Sequence, residues 1–341
     1  MDCLSEIIGS VMLFIENNNV NPCFNLAVED FFLNKSDLEE TVFLLWRNEK
    51  TIVVGKNQNT YEEINSDFVD RHKIQVVRRL TGGGAVYHDL GNLNYSFITQ
   101  DNGIGFDFSF FTKPVCSALK KWEINAELTG RNDLTINGQK FSGNAQIRQK
   151  GRLLHHGTLL FQSCCDDIQQ ALRVEPDKFQ SKAVASIRSR VTNIAEHLSE
   201  PFIKNDIESF RQLLLQEITE LTSNNLTIRA FKPDELQEIC RIQKERYESW
   251  DWNFGKSPKF DWRVSHRFPW GKFDLRLKIE KGIISNAIVF GDFFAADSPQ
   301  ILADRLIGLP IDRKTIRQNL SDSFLQTVFP LLTLNEFIEL F

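Results

Sequence analysis

Apolar residues along the chain switch between a helical spacing and a strand spacing, and the switches mark out its elements. Pro22 followed by Phe24, Leu26, Ala27, Val28, Phe31 and Phe32 has the helical period, with proline in the first turn. Thr41–Trp46 and Thr51–Val54 are short, apolar and β-branched, as strands are. Residues 58–72 predict a helix that ends before a strand over Ile74–Arg79, and Asn92–Ile98 predicts another strand. Helices are expected near 113–122 and 164–173, and over 203–221 and 233–247, the last two with polar outer faces. The middle of the chain carries hairpin signals instead. Asn137-Gly138 and Lys150-Gly151 are turn dipeptides, and together they predict a three-stranded antiparallel meander from about Asn132 to Phe161. The segment Trp250-Asp251-Trp252-Asn253-Phe254-Gly255-Lys256-Ser257-Pro258 then breaks the pattern. Strands around 272–280 and 283–294, joined by Lys281-Gly282, follow it, and short helices run to the end. A boundary is therefore expected near residue 255, dividing 1–254 from 255–341.

Composition narrows the class of protein. A chain of 341 residues is long for one core, in line with two domains. Hydrophobic residues at 42% and charged residues at 25% are ordinary for a globular protein. A formal net charge of −5 is the wrong sign for a general nucleic-acid binder. The apolar run Ile7–Ile15 is preceded by Asp2 and Glu6, where an export signal carries Lys or Arg, and it is too short to cross a bilayer. We read it as the approach to the first strand of a cytoplasmic protein with no membrane partner. The six cysteines (Cys3, Cys23, Cys116, Cys164, Cys165 and Cys240) include no CxxC pair, so reduced thiols are expected.

Candidate chemistry concentrates in two places. The first is Arg78-Arg79-Leu80-Thr81-Gly82-Gly83-Gly84-Ala85-Val86-Tyr87-His88-Asp89, where a β-rich run enters three glycines and leaves into a strand. Adjacent glycines let the backbone approach a ligand and turn its N–H groups toward an anion. An arginine just ahead can hold phosphate or carboxylate in bidentate fashion. The loop is neither G-x-x-x-x-G-K-[ST] nor a G-x-G-x-x-G opening a helix, so it falls outside both common nucleotide signatures. Glycine triplets also occur in surface turns, and the arginines with His88-Asp89 favour the ligand-binding alternative.

The second is the Asn137-Gly138 hairpin. A two-residue turn pairs Ile136 with Gln139, Thr135 with Lys140, Leu134 with Phe141 and Asp133 with Ser142. Alternation then places Asp133, Thr135, Lys140 and Ser142 on one polar face and Leu134, Ile136 and Phe141 on an apolar one. A lysine there could neutralise charge developing on an acyl carbonyl or phosphate, and a carboxylate could hold magnesium. Most lone lysines on hairpins are simply solvated. Strict alternation puts His155 opposite Gln146 on the Lys140 face, and a bulge at Gly143 would bring His156 there instead.

Together these segments resemble lipoate–protein ligases of the biotin/lipoate ligase superfamily. Three family motifs match: R-R-x-x-G-G-G-x-V-x-H-D at Arg78–Asp89, K-x-x-G-x-A at Lys140-Phe141-Ser142-Gly143-Asn144-Ala145, and H-x-x-L-L at His156-Gly157-Thr158-Leu159-Leu160. Asn21–Val28, Trp46-Arg47-Asn48, Gly55–Thr60, Arg131-Asn132-Asp133 and Trp250–Pro258 also match, so the likeness runs from about residue 12 to the C-terminus. It implies an α+β fold: a large mixed β-sheet domain with flanking helices, followed by a small C-terminal α+β accessory domain. It implies ATP, with Mg²⁺, and lipoate as substrates, and no bound prosthetic group. By carry-over, Arg79, Gly82, Gly83, Gly84, Ala85, Val86, Tyr87, Asn132, Asp133 and Lys140 would bind ATP and the lipoyl adenylate, with Asp133 on magnesium. Trp46, Arg79, His88, Lys140 and His156 would bind lipoate, and Lys140 would be catalytic. The implied partners are lipoyl domains of 2-oxoacid dehydrogenase E2 subunits or a glycine-cleavage carrier protein, met by a monomer.

The basic residues Lys56, Arg148, Lys150 and Arg152 are candidates for a patch facing that acceptor. Two rival readings remain in view. One is an ATP-independent lipoyl or octanoyl transferase that holds the acyl group on Cys164 or Cys165, at a helix start where a thiol pKa can fall. The other is a lipoate-binding sensor without turnover. A biotin–protein ligase fits less well, because its motifs differ in kind.

Overall fold

The computed structural model describes residues 12–35, 38–101, 107–130, 132–172, 191–221, 226–255, 262–280 and 282–341. Ile7–Val11, Arg131, Lys256–Pro258 and Lys281, all part of the sequence argument, lie outside them. The described chain forms two compact units. One contains the chain up to Val53 with Ile64–Val77 and Val86–Ser249, and the other contains Val54–Glu63, Arg78–Ala85 and Trp250–Phe341.

The first unit is organised by an eight-stranded sheet. Its strands are β1 (Met12–Ile15), β2 (Thr41–Trp46), β6 (Asn92–Gln100), β7 (Ala126–Thr129), β8 (Asp133–Ile136), β9 (Gln139–Gln149), β10 (Arg152–Leu160) and β11 (Leu226–Arg229). They lie in the order β11-β1-β2-β6-β10-β9-β8-β7. The β1 pairings to β11 and β2 are parallel and the ladders from β2 to β7 are antiparallel, so the sheet is mixed, as expected. A smaller sheet of β4 (Gln75–Arg78), β3 (Thr51–Val54) and β5 (Val86–His88) accompanies it. The expected meander is present but gains a fourth strand, β7. That strand and β11 are short edge strands with no buried side chain, so they carry little apolar signal.

Helix α1 (Pro22–Asn34) begins where Asn21 accepts hydrogen bonds from the Cys23 and Phe24 amides and Pro22 occupies the first turn. The expected helix over 58–72 is two pieces, α2 (Thr60–Glu63) and α3 (Ser66–His72). The break falls at Ile64, which bridges to Leu172, and Asn65 caps the second piece by accepting from the Phe68 amide. Piece α2 belongs to the second unit, whereas α3, α4 (Phe108–Lys121), α5 (Cys165–Ala171), α6 (Ile207–Leu221) and α7 (Pro233–Ile242) complete the first, and α7 runs on into a π-turn over Gln243–Tyr247. Phe43, Phe97, Phe141, Leu134 and Ile136 from the sheet pack with Phe111, Val115, Leu119 and Trp122 around α4 and with Phe210 and Leu214 of α6. This is the main apolar core, and it fixes one face of the sheet as closed.

In the second unit, α8 (Trp250–Asn253) precedes an antiparallel sheet of β12 (Trp262–Phe268), β13 (Gly271–Glu280) and β14 (Ile283–Gly291). The first of these strands is missing from the sequence expectation, because its side chains alternate with charge and leave few buried positions. Four short helices, α9 (Gln300–Leu306), α10 (Arg313–Asn319), α11 (Asp322–Val328) and α12 (Leu334–Glu339), close over Phe273, Leu275, Phe293, Phe329 and Phe337. The whole is α+β. No helix of the described residues is long and apolar enough to cross a membrane.

Candidate active site

The lysine hairpin forms at the expected turn. Asn137 and Gly138 have φ of 53° and 78°, the two positive values that a type I′ turn requires. Ile136 pairs with Gln139 and Thr135 with Lys140, but the register then shifts, and Leu134 faces Ser142 and Asp133 faces Gly143. The extra residue is a bulge at Phe141–Ser142, not at Gly143. It lets Phe141 enter the apolar core, fully buried beside Leu134 and Ile136, while Ser142 turns to the same side. Ser142 therefore leaves the polar face, which keeps Asp133, Thr135 and Lys140. Gly143 takes its place there, and a Cβ on it would lie 3.1 Å from Lys140 Nζ. The Lys140 side chain lies over that glycine, with Nζ 2.7 Å from Asp133 Oδ1 and both side chains partly exposed.

The bulge also decides between the two histidines. His155 does sit opposite Gln146, but on the core side. It is fully buried, stacked on Phe111 at 4.7 Å, and burial holds its imidazole well below the usual range and hence neutral. His156 takes the opposite face, with Nδ1 2.9 Å from Glu29 Oε1 and 3.0 Å from Oε2. Ser96 donates to Glu29 Oε1 at 2.6 Å, and Trp46 Nε1 donates to Ser96 at 2.8 Å. Trp46 and His156 are thus tied together through Glu29, a residue absent from the sequence argument. Its signal was available, since Glu29 and Asp30 are carboxylates in an otherwise apolar helix stripe, and each is 2% exposed. His88 stands edge-on to the Trp46 ring, and its Nδ1 is 3.0 Å from Asn48 Nδ2. Asn48 Oδ1 accepts from Asn25 Nδ2 at 2.9 Å, so the Asn48 amide faces the imidazole as a donor. His88 Nδ1 is then the acceptor and Nε2 carries the proton. The Tyr87 hydroxyl reaches Asp167 at 3.0 Å, and burial with that carboxylate raises it far above the usual phenol range.

Asn132 is fixed through its main chain. Its carbonyl accepts from the Asn144 amide at 2.9 Å and from Asn144 Nδ2 at 3.0 Å, and its own Nδ2 donates to the Asn144 carbonyl at 2.6 Å.

The glycine loop is held within the second unit. Arg78 does not present its guanidinium to a ligand. Fully buried, it donates to the carbonyls of Gly55, Lys56, Gln58, Trp252 and Asn253 and to the Thr60 hydroxyl. Burial lowers its pKa to about 10. Arg79 arches over its own loop, donating to Thr81 Oγ1 at 2.9 Å and to the carbonyls of Gly82 at 2.8 Å and Gly84 at 2.7 Å. Gly83 has φ +90°, and its carbonyl lies so near Gly55 that a Cβ there would come within 2.0 Å. A Cβ on Gly82 would meet the Phe293 carbonyl at 2.4 Å, and the Gly83 amide donates to that same carbonyl at 3.4 Å. Gly84 has open space around it. The first two glycines are thus needed for close backbone packing, and the third leaves room for a ligand.

Two other expectations change. Arg152 is fully buried, donating to the carbonyls of Leu38, Glu40 and Ile98, and Arg148 pairs with Asp101 at 3.4 Å, so neither belongs to a free basic patch. Cys165 begins α5, yet burial and then Glu196 push its thiol up, opposite to an activated nucleophile. Cys164 is exposed, and its amide donates to Asp89 Oδ2 at 2.8 Å.

Comparison with known proteins accords with this geometry. Residues 21–219 match the lipoyl protein ligase A/B catalytic domain, and residues 257–341 match the bacterial lipoate protein ligase C-terminus. The lipoate-protein ligase LplJ of Bacillus subtilis is 45% identical over 332 residues, covering 96% of this chain and 99% of that protein. The crystal structure of P. falciparum LipL1 in complex with lipoate superposes with a TM-score of 0.77 at 28% identity, covering 97% of this chain and 98% of that one. A lipoate-protein ligase A crystallised with ATP shares the fold, with a TM-score of 0.62 at 23% identity over 72% of this chain and 99% of that one. The chain belongs to the lipoate–protein ligase family, and so is a ligase enzyme.

Proposed function

We propose that the enzyme joins lipoate and ATP to form lipoyl-AMP, releasing pyrophosphate, and then passes the lipoyl group to a lysine of an acceptor protein. The observation that carries this reading is the partly exposed Lys140 ammonium, laid over Gly143 and held 2.7 Å from Asp133. A carboxylate is a poor acyl donor because its leaving group would be oxide. In the first step a lipoate oxygen attacks the α-phosphorus, the bond to pyrophosphate breaks, and a mixed anhydride remains. In the second step the acceptor amine attacks the acyl carbon and AMP departs. Both steps build negative charge at oxygens next to one centre, which a fixed ammonium stabilises without acting as acid or base.

Magnesium enters with ATP as part of the substrate. Among the described residues no group of three or more His, Cys, Asp or Glu could hold a metal ion. Asp133 would therefore contribute one carboxylate to an ion otherwise bound by phosphate oxygens and water, the usual pattern for Mg²⁺. Arg79 and the loop Gly82–Tyr87 would receive the phosphates, with the N–H groups around Gly84 as donors. The wall formed by Trp46, His88 and His156 would take the lipoyl chain, the apolar part of the substrate. Lipoate in the LipL1 crystal and ATP in the ligase A crystal support lipoate and ATP as the two substrates. Lipoyl domains of 2-oxoacid dehydrogenases or a glycine-cleavage carrier protein are the acceptors we favour.

Lipoate-dependent ATP–pyrophosphate exchange tests the first step. The wild-type protein should exchange only with lipoate present, and Lys140→Ala should lower the rate by about 1,000-fold, the range seen when a transition-state charge partner is removed. A Cys164→Ser/Cys165→Ser double variant should keep full activity. Lipoyl transfer without ATP that is abolished in the double variant would instead establish a thioester-forming transferase. Tight lipoate binding with no exchange would establish a sensor.

A further inference from the structure

Behind Lys140, on the closed face of the sheet, a line of buried polar side chains crosses three strands. Gln146 Nε2 lies 2.9 Å from His155 Nδ1, His155 Nε2 lies 3.2 Å from the Tyr95 hydroxyl, and that hydroxyl lies 2.5 Å from Asn144 Oδ1. Asn144 Nδ2 then reaches the Asn132 carbonyl at 3.0 Å. Only one arrangement of protons satisfies the line. Asn144 donates through Nδ2, so its Oδ1 accepts, and the single Tyr95 proton points there. Tyr95 must then accept from His155 Nε2–H, which leaves His155 Nδ1 to accept from Gln146. Each bond polarises the next in the same direction, which strengthens the line as a whole.

Tyr95 and Asn144 are not on neighbouring strands. Residue 157 of β10 is paired with both, with Tyr95 on one side and Asn144 on the other. It is a glycine, and a Cβ there would lie 2.1 Å from Asn144 Oδ1 and 2.6 Å from Tyr95 Cε1. The two side chains meet above the space it leaves. Asn144, once held, binds both the carbonyl and the side chain of Asn132, and the next residue is Asp133, the partner of Lys140.

We propose that the His155–Tyr95–Asn144 line, seated over Gly157, is a positioning device that fixes Asn132–Asp133 and through them the Lys140 ammonium for the adenylation step. This rests on the ligase reading above. None of the three touches substrate in this scheme, and their effect passes through the hairpin. Displacing a charge partner by about 1 Å is enough to lower a rate about 100-fold, so a device of this kind matters more for turnover than for affinity. The lipoyl-side wall at Trp46 and His156 is held by Glu29, on the opposite face of the sheet.

The test uses two nearly isosteric changes in the full-length protein. Asn144→Asp keeps the acceptor for Tyr95 and removes the side-chain donor to the Asn132 carbonyl while the Asn144 main-chain donor stays, and Tyr95→Phe removes the bridging hydroxyl. Pyrophosphate exchange, normalised to folded protein, should show kcat lowered about 30-fold in Asn144→Asp and about 10-fold in Tyr95→Phe, with KM for lipoate within about 2-fold. Amide hydrogen exchange over residues 132–144 should quicken in both variants while β6 and β10 stay protected. Gly157→Ala should act in the same way although it removes no polar group. Unchanged kcat in Tyr95→Phe and Asn144→Asp, or a loss that tracks only the folded fraction, would overturn the proposal. So would a rise in lipoate KM at constant kcat. Wild-type protein with no lipoate-dependent exchange would refute the ligase reading instead, and hydrogen exchange over 132–144 would still show whether the line holds the hairpin.

Discussion

In the Lys140 hairpin the main chain satisfies its own hydrogen bonds by strand pairing, whereas around residues 78–85 arginine side chains supply many of the main chain's partners. Three glycines, of which Gly83 is left-handed, leave the loop with carbonyls that no ladder can reach, and Arg78 and Arg79 take up seven such groups on the loop and its neighbours. A ladder tolerates single changes, because each bond is one of many. A loop hung on one buried guanidinium does not.

Loss of Arg78 should therefore be the most severe structural change. Arg78→Lys keeps the charge but offers a point donor in place of a planar fork, leaving several buried carbonyls unpaired. A loss of about 3 kcal/mol is expected, read from urea unfolding at neutral pH. Glu63 sharpens the same side of the comparison. Burial pushes its carboxyl from the ordinary 4.5 up to about 7, with Asp292 and Glu62 adding to the rise and Lys272 and Gln58 opposing it. The folded state then holds a proton that the unfolded chain has released, so this contribution is complete below about pH 4.5 and is lost as the pH climbs to 7. Glu63→Gln should flatten that slope and raise stability at pH 8 by about 2 kcal/mol, after allowance for partial solvation. Equal stabilisation at pH 4 and pH 8 would refute this origin. The smallest effect belongs to the hairpin. Gly138→Ala forces a side chain to φ 78° and should lower the melting free energy by only about 1 kcal/mol, with pyrophosphate exchange nearly intact.

The same contrast separates what could be read in the sequence from what could not. Asn137-Gly138 specifies its turn by backbone sterics alone, so the first two cross-strand pairs were legible. The bulge at Phe141 was not, because it is driven by burial of that ring in a core assembled from Phe97, Phe111 and others far along the chain. That one residue reversed the places of Ser142, His155 and His156. The arginines misled in a different way. Arg78 and Arg79 are equally charged neighbours, and only the surrounding carbonyls make Arg78 a scaffold group. Glu29 shows the converse, a buried carboxylate whose role depends on His156 and Ser96, which no local pattern links to it. Strands β7, β11 and β12 lay below the threshold of apolar periodicity because they are edges.

The connection between Gly83 and Phe293 has a consequence for how the chain is made. About 210 residues separate the loop amide from the carbonyl it bonds, and Glu62 waits slightly longer for Arg276. A ribosome delivers the eight-stranded sheet complete by Ser249, so that unit can fold while the rest is still being synthesised. Val54–Glu63 and Arg78–Ala85 emerge early and have no unit to join until the last strands follow. The segment that carries the glycine motif is, in order of synthesis, among the first third of the molecule and among the last parts to take its final form.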